Sequence, residues 1–184
     1  MNKWITFFSQ TGSEIVDLAN CLYKWPDIII TNNTDLDSMH PKIRNKITHT
    51  LNKEDAKTLH VLRSVAKPDD LITLHGWLRI VPQDICEQYN IYNGHPGLIN
   101  KHPELKGKDP QQRAFENIHR YSKIGSVVHK VTPIVDDGEI ISSCCVNTPE
   151  KVTLEKVFNS LKITSRESWL VFLKEHIKMK EAVC

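Results

Sequence analysis

Short apolar runs alternate with amphipathic stretches along most of this chain. Trp4-Ile5-Thr6-Phe7-Phe8 reads as a buried first strand, and Gln10-Thr11-Gly12-Ser13 as a turn. Between Glu14 and Tyr23, Ile15, Leu18, Ala19 and Leu22 recur at helical spacing. Asp27–Thr31 is short and β-branched, which predicts a second strand, closed by the loop residues Asn32–Asp35. Residues 47–51 suggest a short third strand. Asn52 then caps a helix carrying Ala56, Leu59, Val61, Leu62 and Val65. Leu71–His75 is a fourth strand. Gly76 follows it, and Pro82 sits in the first turn of the next helix. Tyr89–Asn93 reads as a fifth strand that ends in Gly94-His95-Pro96-Gly97. A polar loop then runs to about Asp109, and Pro110 opens a helix with Ala114, Phe115 and Ile118.

Two more strands are expected near Ser126–Ile134 and Glu139–Val146, joined by a turn at Asp136-Asp137-Gly138. From Thr153 to about Lys178 the pattern is mostly helical. Leu154, Val157, Leu161, Trp169, Phe172 and Leu173 supply its apolar face, with a break near Thr164-Ser165. This alternation predicts an α/β fold, a mainly parallel, twisted, doubly wound sheet with helices on both faces. Ligands of such sheets sit at the carboxyl ends of strands, near a switch in strand order. The reactive residue types fall there: Ser9–Ser13, His75–Arg79 and Asn93–His95 each follow a predicted strand.

Composition narrows the class. A chain of 184 residues fits one domain, here residues 1–184, with a C-terminal helical segment over about 153–184. Hydrophobic residues are 40% and charged residues 25%, the balance of a soluble globular protein. A formal net charge of +2 is too small to point to nucleic acid or a membrane. No stretch approaches the ~20 apolar residues of a membrane span. Five cysteines occur (Cys21, Cys86, Cys144, Cys145 and Cys184), with no CxxC pair and no signal peptide ahead of them. Free thiols in a reducing, cytoplasmic compartment are expected, and no metal site. Cys144-Cys145 reads as strand packing, one side chain in and one out.

Asn93-Gly94-His95-Pro96 admits two readings. An amide and an imidazole leaving a strand end can both donate to a developing oxyanion. Equally, the segment can be a plain turn with a solvent-facing histidine. Asp137-Gly138 is explained by turn chemistry, whereas Asp136 is not needed there. A carboxylate facing His95 would hold the imidazole charged and could relay a proton through water.

Four motifs occur in order: Ser9-x-x-Gly12-Ser13, Gly76-Trp77-Leu78-Arg79-Ile80, Asn93-x-His95-Pro96, and His129-x-Val131 through Asp136 and Gly138. Together they resemble the folate-dependent formyltransferases, most closely the glycinamide ribonucleotide (phosphoribosylglycinamide) formyltransferase family, from residue 3 to about 146. The resemblance implies a Rossmann-like formyltransferase domain of purine biosynthesis and one-carbon metabolism. It implies N10-formyl-tetrahydrofolate as donor and a small-molecule amine as acceptor, such as glycinamide ribonucleotide, a related nucleotide or an amino sugar. Asn93 and His95 would stabilise the oxyanion, and Asp136 would support the charge on His95 and manage the leaving proton. Trp77, Leu78, Arg79, Ile80 and Val81, with Pro133, Val135 and Asp137, would border the folate. Thr11, Gly12, Ser13 and Glu14 would meet the acceptor. His129 matches a family position read as structural. A homodimer is compatible with the family, and neither nucleic acid nor membrane is an expected partner.

Two departures bear on the acceptor. The family usually has Asn where this chain has Glu14, and a carboxylate there repels phosphate, although it suits the helix dipole. After His95-Pro96 the family commonly reads Ser-Leu-Leu-Pro where this chain has Gly97-Leu98-Ile99-Asn100, and Leu105–Ala114 looks more like methionyl-tRNA and sugar-nucleotide formyltransferases. Hydrolysis of formyl-tetrahydrofolate and a catalytically idle folate-binding protein are the competing functions.

Overall fold

The computed structural model describes residues 2–177; the expected helix end at Lys178, and Cys184, lie outside the described residues. Seven strands form one sheet in the order β3-β2-β1-β4-β5-β6-β7. They are β1 (Trp4–Phe8), β2 (Ile28–Thr31), β3 (His49–Thr50), β4 (Leu71–Leu74), β5 (Ile91–His95), β6 (Lys123–Lys130) and β7 (Ile140–Asn147). The first five run parallel, and β6 and β7 add antiparallel. All five residues of β1 are buried, as a central strand covered on both faces must be.

Helices α1 (Ser13–Leu22), α2 (Pro41–Arg44) and α7 (Leu154–His176) lie on one face; Leu18, Leu22, Trp169, Phe172 and Leu173 pack there with Trp4 and Val128. Helices α3 (Asp55–Thr58), α4 (Leu62–Val65) and α5 (Gln83–Gln88) cover the other face around Ile5, Phe7, Ile72 and Leu74. Helix α6 (Pro110–Glu116) buries Ala114 in a smaller cluster with Leu105, Tyr121 and Leu161. Among the described residues, no helix is long and apolar enough to cross a membrane.

Four expectations change. The helix after Asn52 is two short pieces. The Asn52 side chain does accept from the amides of Glu54 and Asp55, but Leu59 turns left-handed at φ 53° and ends the first piece. That conformation costs roughly 1–2 kcal/mol for a non-glycine residue. Complete burial of Leu59 and Leu62 recovers about as much per side chain or more. Pro82 precedes α5 as its cap rather than entering its first turn. The fifth strand is displaced toward the site: Asn93 and His95 are its last residues, held by pairing of Asn93 with His129 and of His95 with Val127. Finally, α7 does not break at Thr164-Ser165. The Thr164 hydroxyl shares the Leu161 carbonyl of its own helix, and Ser165 donates out of the helix to Glu14, so both polar groups are satisfied without breaking α7. Leu154, expected on the apolar face, is exposed, whereas Thr164, Ser168 and Leu170 are buried.

Candidate active site

The carboxyl ends of β1, β4 and β5 lie side by side because these strands are neighbours. Sequence reversal on either side of β1 opens a crevice there. The His75 amide donates to the Phe7 carbonyl (2.9 Å) and the Ser9 amide to the Gly76 carbonyl (3.3 Å), which locks the two strand ends together. Two cavities open onto this edge. One, about 660 Å3, is lined by residues 76–81, the Asn93–Pro96 strand end, Gly107–Gln111, His129, Val131, Thr132, Val135 and Asp136. The other, about 420 Å3, is lined by Gln10–Glu14, His75 and the α7 residues Phe158, Asn159, Leu161, Lys162 and Ser165. Gly94 and Pro96 border both.

Asn93, His95 and Asp136 come together beside that border from distant parts of the chain. His95 Nδ1 lies 3.3 Å from Asp136 Oδ2, with both side chains almost wholly buried. His95 Nε2 donates to the Leu105 carbonyl at 2.9 Å. With Nε2 spent on that carbonyl, Nδ1 faces a carboxylate, a group that can only accept. His129 is the fourth member. Its Nε2 is 3.3 Å from Asn93 Nδ2 and 3.4 Å from Asp136 Oδ1, and its Nδ1 donates to the Lys130 carbonyl. The Gly107 amide donates to Asp136 Oδ2 at 2.8 Å. Burial alone would push the Asp136 carboxyl up. Hydrogen bonds from His129 and His95, the pull of the His95 ring and the Gly107 amide instead hold it far below the usual carboxylate range.

Local geometry explains why Asp136 reaches inward. Its φ of 52° is left-handed, a conformation that Asp tolerates better than most residues. The next residue, Asp137, faces outward and pairs with Lys106. Gly94 is required between Asn93 and His95: a Cβ there would overlap the Trp169 indole nitrogen.

Of the residues expected around the folate, Trp77, Leu78, Arg79, Ile80, Val81 and Val135 line the larger cavity, and Pro133 and Asp137 do not. Asp137 is spent on Lys106, and Pro133 is exposed on the outer side of the loop. Trp77 is at once lining and core, packed edge-on against Phe7 at 5.3 Å between ring centroids. Leu78, Ile80 and Val135 leave large apolar surfaces exposed at the cavity mouth. Arg79 is exposed there too.

Thr11, Gly12, Ser13 and Glu14 all line the smaller cavity. Gly12 takes φ 68° at the start of α1, and a Cβ there would press on Ile43. Glu14 turns inward. Its Oε2 accepts from His75 Nδ1 at 2.8 Å and its Oε1 from Ser165 at 2.6 Å. Burial raises the Glu14 carboxyl, but the His75 and Ser165 hydrogen bonds and the His75 ring outweigh this and leave it lowered.

Sequence reasoning did not single out Gln10, Gln111, Thr132, the Leu105 carbonyl or Arg113. Arg113 donates to the carbonyls of Glu104, Leu105 and Lys106 and so staples the loop that holds His95. A polar residue of a short helix carries no signal of what it reaches, and only the fold shows it. Among the described residues no group of His, Cys, Asp and Glu is arranged to hold a metal, and Cys21, Cys86, Cys144 and Cys145 are free.

Comparison with known proteins bears on the family and the fold. A phosphoribosylglycinamide formyltransferase from Dictyostelium discoideum is 34% identical over 103 residues, 53% of this chain; the match spans about half of that relative, 48%. The solved structure of phosphoribosylglycinamide formyltransferase from Campylobacter jejuni superposes with a TM-score of 0.78 at 18% identity, covering 95% of this chain and 97% of that one. A formyltetrahydrofolate deformylase from Pseudomonas syringae shares the fold with a TM-score of 0.69 at 18% identity, covering 98% of this chain and 64% of that one. The sequence profile described as formyl transferase matches residues 28–171, most of the chain, and with the Rossmann-like fold it shows that this protein belongs to the formyl transferase family.

Proposed function

We propose that the protein transfers a formyl group from N10-formyl-tetrahydrofolate to the amine of a small-molecule acceptor. The observation that carries this reading is the meeting of Asn93, His95 and Asp136 on the wall of the larger cavity, beside the Gly94 and Pro96 border with the smaller one. A cavity of about 660 Å3 falls within the size range of cofactor sites, and Leu78, Ile80, Val81 and Val135 give it the apolar wall a pterin ring needs. The acceptor lies in the smaller cavity, so its amine approaches the formyl carbon past Gly94.

Attack makes a tetrahedral carbon with a negative oxygen. Asn93 Nδ2 donates to that oxygen, and His95 contributes its ring N–H once the Leu105 carbonyl yields it. Asp136 is held too acidic to take a proton readily near neutral pH, so its part is to orient the His95 ring through Nδ1. Water in the larger cavity takes the proton from the attacking amine and returns one to N10 as the tetrahedral carbon collapses, the C–N10 bond breaks and tetrahydrofolate leaves.

The test follows release of tetrahydrofolate from N10-formyl-tetrahydrofolate with and without candidate amines. Amine-dependent release is expected. Release without amine would replace transfer by hydrolysis, and folate binding without any release would make the protein an idle binder. His95→Ala is expected to abolish turnover while leaving the fold intact; near-normal activity in that variant would sink the mechanism.

A further inference from the structure

The smaller cavity is lined mainly by neutral hydrogen-bonding side chains, among them Gln10, Ser13, Gln111 and Asn159, with the Glu14 carboxylate as its inner end. Behind Glu14 stands His75, its side chain 1% exposed, whereas that of Glu14 is 29% exposed. The imidazole therefore faces the core and the carboxylate faces the cavity. His75 spends Nδ1–H on Glu14, and its Nε2 is engaged by Thr73 Oγ1 at 3.0 Å. No imidazole N–H is left for an incoming anion. Lys162 also lines this cavity; its side chain is 64% exposed and its ammonium faces the Asp17 carboxylate at 3.8 Å, which offsets its charge.

Each carboxylate oxygen has two acceptor directions, and His75 and Ser165 use one on each. Trp169 also bears on this carboxylate, and the acceptor capacity that remains is open to a hydroxyl or an ammonium of a ligand. The amino end of α1 offers an anion roughly half a positive charge. Glu14, in the first turn of that same helix, opposes it with a whole negative charge that its two partners prevent from swinging away.

We propose that Glu14, fixed by His75 and Ser165, selects a hydroxyl-bearing amine that carries no phosphate as the acceptor and excludes a phosphomonoester from this cavity. The proposal rests on the formyl-transfer reading and names the acceptor class within it.

The experiment uses two probes that differ only by the phosphate: glycinamide ribonucleotide and its dephosphorylated form, glycinamide riboside. Binding of each to the full chain is measured by titration calorimetry, and kcat/KM for each with N10-formyl-tetrahydrofolate. The riboside is expected to bind and to react at least ~10-fold better, since juxtaposed like charges discriminate strongly. Glu14→Gln keeps the shape and removes the charge, and is expected to bring the two ligands within about threefold of each other. Ser165→Ala keeps the charge and the sign of the preference. Tighter binding of the ribonucleotide by the unaltered protein, binding of neither probe, an unchanged ratio in Glu14→Gln, or loss of the preference in Ser165→Ala would each overturn the proposal. Failure of formyl transfer itself is read separately, as no tetrahydrofolate release with either amine while calorimetry still reports the preference.

Discussion

Three groups converge on the Asp136 carboxylate: the His95 and His129 rings, at 3.3 and 3.4 Å, and the Gly107 amide, which donates at 2.8 Å. Replacing it by Asn keeps the size but brings in an N–H that must face a donor. Asp136→Asn is therefore expected to lower kcat by about 10^2–10^4, the usual worth of a group that sets protonation in a reaction. The acceptor KM should change much less, because Asp136 does not line the smaller cavity. Steady-state kinetics separates the two, and a loss confined to KM would refute the assignment. At this scale the sequence showed the residue types but not their partners. Asn93, His95 and Asp136 were legible as candidates because four motifs fell in order at strand ends. His129 read as structural, and its place between Asn93 and Asp136 depends on the register of β5 against β6, which no local pattern encodes.

At the scale of elements, one side chain supplies three of the hydrogen bonds that hold the loop between β5 and α6. Arg113 reaches three successive carbonyls, including the Leu105 carbonyl that also accepts from His95. Arg113→Ala is expected to cost about 2 kcal/mol of stability, in the range for hydrogen bonds from a charged donor, and to lower turnover through misplacement of His95. Lysine should not rescue it, because a single ammonium cannot span three carbonyls as the guanidinium fork does. Denaturant unfolding and the assay on Arg113→Ala and Arg113→Lys check both statements; full activity in Arg113→Lys would show that charge alone suffices. The expected break in α7 illustrates the opposite case. Thr164 and Ser165 are poor interior helix residues in isolation, yet their hydroxyls find Leu161, Ser126 and Glu14 in the folded protein.

Across the whole molecule, Glu14 and Asp136 tie the site to stability. Both carboxyls are held below their ordinary values of 4.5 and 3.8. A depressed carboxyl contributes stability that is present above the unfolded-state value and lost as pH falls toward the folded one. The protein is therefore expected to lose thermal stability as pH drops below about 5, while these two groups add no slope between pH ~6 and ~8. The Glu14→Gln, Asp136→Asn double variant should show a shallower acid decline than the parent. Melting temperatures across that range decide it, and parallel curves would remove both groups from the account.

The chain's own pattern determined the strands, the α/β class and the motifs, because burial on one or both faces of an element imposes a period that survives in the sequence. Strand lengths, the split at Leu59 and the continuity of α7 were decided by packing, where burying a side chain or satisfying a hydroxyl outweighs local preference. Only the tertiary structure decided that Glu14, His75 and Ser165 meet. They come from α1, the end of β4 and α7, and a hydrogen bond across such separations has no counterpart in residue spacing.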